Sequence, residues 1–201
     1  IKPLVSIPFW DDITHFEGNA NAFRILTHRF KGRRQGGFVM TYSMLAAIVK
    51  YPFASSLAGA HGKFGFFTSE AESYQKIAKE LGILQKSREG APLQFARHPL
   101  VYLVEAADDI CYEIMDIEDS HKLKILSFEE TEQLLLNFFD EDIQRKIKQR
   151  IIDEELNDEN EKVVYMRACV IGKLENECVA AFLAHEEEIL AGIFEGNLID
   201  H

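Results

Sequence analysis

Positive charge is in short supply in this chain: 22 lysines and arginines face 33 aspartates and glutamates, a net charge of −11 over 201 residues. A uniformly acidic surface repels nucleic acid and nucleotides, so an anionic ligand needs local cations or a metal ion. Cysteine is scarce too. Cys111, Cys169 and Cys178 are odd in number, widely spaced and set among apolar residues. That argues against a disulfide frame or a zinc site and for reduced core thiols. Long apolar runs are missing. Stretches such as MLAAIV at 44–49 fall far below the roughly 20 residues needed to span a bilayer. With no basic-then-apolar segment at the start, a cytoplasmic protein without membrane contact is expected. Convincing period-two alternation is lacking, as are hairpin turns, internal repeats and linkers, which leaves little room for an all-β fold.

What remains is a helical period over a hydrophobic content of 47%, enough for one sizeable core. Ala20, Phe23, Ile25, Leu26 and Phe30 form a helical stripe. TYSMLAAIVKYP at 41–52 predicts a central helix closed by Pro52, because a residue before proline is pushed out of the helical region. Ser69 and Glu72 have capping-box spacing for a helix running to Leu81, with Gly82 as its stop. Ser127 and Glu130 have the same spacing for a helix through about residue 152, and a last long helix is expected over about 163–193. The predicted fold class is all-α, residues 1–201 forming a single helical unit.

The segment VEAADDICYEIMDIEDS at 104–120 places seven carboxylates in seventeen residues, inside what reads as a helix over 100–119. Residues four apart lie about 40° from one another around a helix. Asp108, Tyr112 and Asp116 therefore share one stripe, which Asp119 extends, with Ala107, Ile110, Cys111, Ile114 and Ile117 to its side. Like charges at this spacing cost roughly 0.2–0.5 kcal/mol each. A solvated acidic face explains the pattern; so does a metal and sugar site, which an aromatic between two carboxylates suits.

Five blocks, in order, carry a family resemblance. EAADDICYEIMDIEDS resembles the segment of the bacterial dGTP triphosphohydrolases that holds the last metal ligand of their HD domain. FEGNANAFRIL, LAAIVKYPFAS, GKFGFFTSE and RHPLVYLVEAADD resemble the blocks that precede it in that family. The likeness covers residues 16–120 and continues more weakly to GIFEGNLI near the end. It implies an HD-domain-like helical bundle and hydrolysis of a deoxynucleoside triphosphate, dGTP being the expected one, to deoxynucleoside and triphosphate. It also implies a divalent ion, Mg²⁺ or Mn²⁺, and homo-oligomeric assembly.

By the same resemblance Asp108 is a metal ligand, Tyr112 packs against C2′ of the sugar, and Asp116 accepts from the 3′-hydroxyl. Lys50, Tyr51 and Lys63 match residues that contact the triphosphate. Taken without the family, Lys50 reads as a helix-end lysine with its stem laid on apolar surface. Asn19 and Arg24 match a substrate-side block, although helix packing or capping explains them equally well. The basic run HRFKGRR at 28–34 has no family counterpart; it reads as a solvated loop or as a contact for an effector nucleotide or single-stranded DNA.

The sequence departs from the family in one respect. The first histidine, the His-Asp pair and the catalytic segment precede the FEGN block in relatives, and none of them occurs here before Phe16. The catalytic residues are therefore expected upstream of residue 1, in a longer protein of which this is the central to C-terminal part, and the chain alone is expected to be inactive. The alternatives are an inactive nucleotide-binding or regulatory subunit and a plain helical interaction domain.

Overall fold

The computed structural model describes residues 7–32 and 37–200. Arg33 and Arg34 of the basic run lie outside them. Among the described residues the chain is all-α, 65% helical. Helices α1 (Ile7–Thr14), α2 (Gly18–Thr27), α3 (Tyr42–Ala47), α4 (Ala71–Glu80), α5 (Pro99–Lys122), α6 (Phe128–Leu136), α7 (Glu141–Asp153), α8 (Glu159–Ala184) and α9 (Glu186–Ala191) follow in order. No helix among the described residues is long and apolar enough to cross a membrane. The backbone groups into two compact units, each with its own packing.

The first unit comprises the residues up to Glu105 together with His185–Gly196. Its core joins Phe23 of α2, Leu45 and Ala46 of α3, Val49, Phe66, Tyr74, Ile77 and Ala78 of α4, and Phe95. Tyr74 stacks on Phe66 at 4.9 Å between ring centroids and meets Phe23 and Phe95 edge-on at 5.7 and 5.4 Å. Such ring pairs contribute about 0.5–1.5 kcal/mol each beyond area burial. Of the apolar stripe expected around α2, Ala20 and Phe23 are buried, whereas Ile25 and Phe30 are exposed.

Helix α3 stops at Ala47, well short of Pro52. The backbone beyond it is needed elsewhere: the Phe95 N–H donates to Pro52 O, Ala54 N–H to Leu93 O and Gly65 N–H to Phe53 O, at 2.9–3.0 Å. Short 3-10 turns at Ser55–Leu57, Gly59–His61 and Thr68–Glu70 shape the loop that follows. The expected capping box at Ser69 does not form, because the Ser69 hydroxyl donates to its neighbour Glu70 instead. Gly82 does close α4, with φ +68, a conformation only glycine adopts freely.

The second unit comprises Ala106–Ala184 and the residues from Asn197 onward. Here α6 and α7 pack on α8, whose Val163, Met166, Val170, Leu174 and Cys178 form a buried stripe at helical spacing. The Ser127–Glu130 capping box forms in full. Its helix, however, ends at Leu136, and Asp140 caps a new one by accepting the Ile143 N–H. Likewise the long final helix breaks at His185, whose backbone leaves the helical region. The cysteines are all free, but only Cys178 is a buried thiol; Cys169 is half-buried and Cys111 is exposed.

Candidate functional site

Two groups of residues carry the chemistry, one in each unit. In the first, Glu17 is buried at the head of α2. Its carboxylate accepts the Ala20 N–H at 2.9 Å, where the positive end of the helix favours a negative charge. The same carboxylate accepts from the Asn19 amide at 3.2 Å and from Lys63 Nζ at 3.5 Å. That ammonium also stands 5.8 Å from the centroid of the Tyr51 ring, a cation–π distance. Asn19 and Lys63, separated in sequence, are thus joined through Glu17, and Tyr51 joins them through Lys63.

Gly65 makes this approach feasible. A Cβ there would run into the Tyr51 carbonyl oxygen and lie 2.5 Å from Cγ1 of Val49, so only glycine lets the Lys63 segment pass this close to the end of the central helix. Arg24 stands apart from the cluster. Its guanidinium lies 4.0 Å from Glu70 and 5.9 Å over the Phe67 ring.

Lys50 has a different neighbour. Its Nζ lies 3.2 Å from Oε1 of Glu105, while Arg97 donates to Oε2 of the same carboxylate at 3.0 Å. Glu105 is buried, at 7% exposure. Arg97 is held in turn over the Tyr102 ring at 5.4 Å and against the Gly196 carbonyl at 3.4 Å. Sequence reading counts Glu105 only as one more acid of the 104–120 run; a glutamate flanked by Val104 and Ala106 was the available signal, and its partners are too distant in sequence to be read.

In the second unit, α5 buries Ala106, Ile110, Ile114 and Glu118, one residue every four. Ala107 and Cys111, expected at the core edge, are exposed instead. Glu118 pairs with Lys122 at 2.7 Å and with Arg167 of α8. Burial alone pushes its carboxyl up, but the hydrogen bonds and charges of Lys122 and Arg167 outweigh that and hold it below its ordinary range. Asp108, Tyr112 and Asp116 occupy the opposite, exposed face, Tyr112 at 68% exposure. None of the three makes an ion pair or side-chain hydrogen bond among the described residues.

The donor set for a metal ion is incomplete. No group of three or more His, Cys, Asp or Glu side chains converges among the described residues, so Asp108 supplies at most one ligand. One carboxylate does not meet the several oxygen or nitrogen donors that Mg²⁺ or Mn²⁺ takes.

Comparison with known proteins bears on the family resemblance. A deoxyguanosinetriphosphate triphosphohydrolase-like protein of Pseudomonas aeruginosa is 38% identical over 194 residues, covering 94% of this chain and 42% of that protein. Over nearly its whole length the chain is similar to proteins named deoxyguanosinetriphosphate triphosphohydrolase-like. A second relative with the same family name, from Synechocystis sp., is 36% identical over 202 residues, again 94% of this chain and 42% of its own length. A deoxyguanosinetriphosphate triphosphohydrolase of Yersinia enterocolitica is 26% identical over 207 residues, 38% of its length. No protein-family model matches the chain. It spans about two fifths of the curated triphosphohydrolase relatives it matches, in their C-terminal part.

Proposed function

We propose that this chain supplies the sugar and triphosphate contacts of a deoxynucleoside triphosphate triphosphohydrolase, with dGTP as substrate. The observation that carries the reading is the asymmetry of α5: its buried acids have partners, while Asp108, Tyr112 and Asp116, which match the family's site, are left exposed and without an ion pair among the described residues. Asp116 accepts a hydrogen bond from the 3′-hydroxyl. The Tyr112 ring packs against C2′ and leaves no room for a 2′-hydroxyl, a rejection by crowding that works because a misplaced polar group in an apolar contact is costly.

Lys50, Tyr51 and Lys63 meet the triphosphate, with Asn19 beside Lys63 on Glu17 and Arg24 further off at Glu70. Placing cations at the phosphate oxygens orients the chain of phosphates and offsets the repulsion of an acidic protein. Asp108 gives one carboxylate to a divalent ion, Mg²⁺ or Mn²⁺, whose remaining ligands are not among the described residues. Homo-oligomeric assembly, an effector nucleotide or single-stranded DNA at the basic run, and a cytoplasmic location belong to the same proposal.

The test is incubation of the protein, as its gene encodes it, with dGTP and Mn²⁺. Release of deoxyguanosine and intact triphosphate, lost in Asp108→Ala, is the expected result. Binding of dGTP without release would favour the second reading, a catalytically inactive nucleotide-binding or regulatory subunit, for which the incomplete donor set speaks. Absence of binding would overturn both.

A further inference from the structure

We infer that Glu105 is a positioning residue: it fixes the Lys50 ammonium for a polyphosphate ligand, and Arg97 holds Glu105 in place for that task. The inference rests on the proposed triphosphate role of Lys50. It starts from the division of labour on one buried carboxylate, Oε1 facing Lys50 at 3.2 Å and Oε2 facing Arg97 at 3.0 Å. A carboxylate with both oxygens engaged by different cations has little freedom to turn.

Arg97 is the fixed side of the arrangement. Its guanidinium is planar and is held from three directions, by Glu105, the Tyr102 ring and the Gly196 carbonyl. The Tyr102 hydroxyl is anchored too, donating to the Phe194 carbonyl at 2.9 Å. Lys50 is the opposite kind of cation, a point charge on a flexible stem. A lysine left to itself loses rotamer freedom when it clasps an anion, whereas one ordered beforehand does not, so the ordering raises affinity without adding a contact.

Two effects of Glu105 on an anionic ligand have opposite signs, and that makes the idea testable. As a negative charge beside the ligand, Glu105 weakens binding, and removing it should tighten the complex. As the holder of Lys50 it strengthens binding, and removing it should loosen the complex.

The experiment measures binding of inorganic tripolyphosphate by calorimetry to the protein as its gene encodes it and to the variants K50M, E105Q, the double variant and R97K. Thermal unfolding is followed in parallel. Positioning predicts that E105Q binds about tenfold more weakly. It also predicts that K50M costs several-fold in the wild-type background but little in E105Q, because an unplaced ammonium contributes little. R97K keeps the charge but loosens the anchor, so it should show a smaller loss of the same kind and remains informative should E105Q unfold.

Equal or tighter binding by a folded E105Q, or fully additive losses in the double variant, would overturn the inference and leave the phosphate role of Lys50 standing. Undiminished binding in K50M would remove that role, and the inference with it.

Discussion

Helix α5 holds the same functional group in two opposite settings. Glu105, near its start, and Glu118, near its end, are buried, and each is clasped by two cations. On its open face Asp108 and Asp116 stand in solvent beside Tyr112. Density of carboxylates along the sequence therefore says little about what each one does. Burial and reach decide it: a carboxylate taken out of water must be paired, and once paired it belongs to the fold. A carboxylate left in water keeps its hydration and can exchange it for a ligand.

The largest expected effect tests the buried acids. Glu105→Ala removes the buried carboxylate that both Lys50 and Arg97 engage, and losing one partner of a buried ion pair typically costs about 3–5 kcal/mol. Urea denaturation of the variant should show that loss as a lower midpoint with an unchanged slope. A loss below about 1 kcal/mol would place Glu105 with surface pairs and erase the distinction.

A smaller effect is expected from pH at the other buried acid. The folded Glu118 carboxyl lies below its ordinary 4.5, so its pairing stabilises the protein above that value and is lost as pH falls through the lower folded value. Tm measured from about pH 6 down to about pH 3 should fall less steeply for Glu118→Gln than for wild type, the two converging at the acid end. Parallel curves would mean that Lys122 and Arg167 do not hold the charge.

The smallest effect belongs to the open face. Asp108→Ala and Asp116→Ala should each change stability by no more than about 0.5 kcal/mol, as surface substitutions usually do. Set beside the activity loss expected for Asp108→Ala, that separates function from folding. A large destabilisation at either position would instead make the acidic face structural.

How far these roles can be read from sequence follows the same division. Local signals were legible. The 3.6-residue period gives the all-α class, Ser127 and Glu130 cap their helix as their spacing demands, and Gly82 ends α4. The exposed stripe of α5 was also legible, since one helix fixes it. Interruptions were not: Asp140 and His185 break helices that the apolar pattern would continue, and α3 gives up its last turn to backbone pairing with Phe95. Cys111 reads as a core thiol yet is exposed, because its helix face is not the one that packs. The partners of Glu105 were out of reach for a plainer reason. Lys50 and Arg97 come to it from separate stretches of chain, and no period or spacing encodes such a meeting.

The shared carboxylate at Glu105 also bears on how this region can change over generations. Replacing Glu105 takes a shared partner from two cations at once, and replacing Lys50 or Arg97 leaves the buried carboxylate with one of its two cations, so a change at one position alters what the other two can do. The three positions would be inherited as one character, and an engineer wishing to alter the phosphate side of this protein would have to rewrite all three at once.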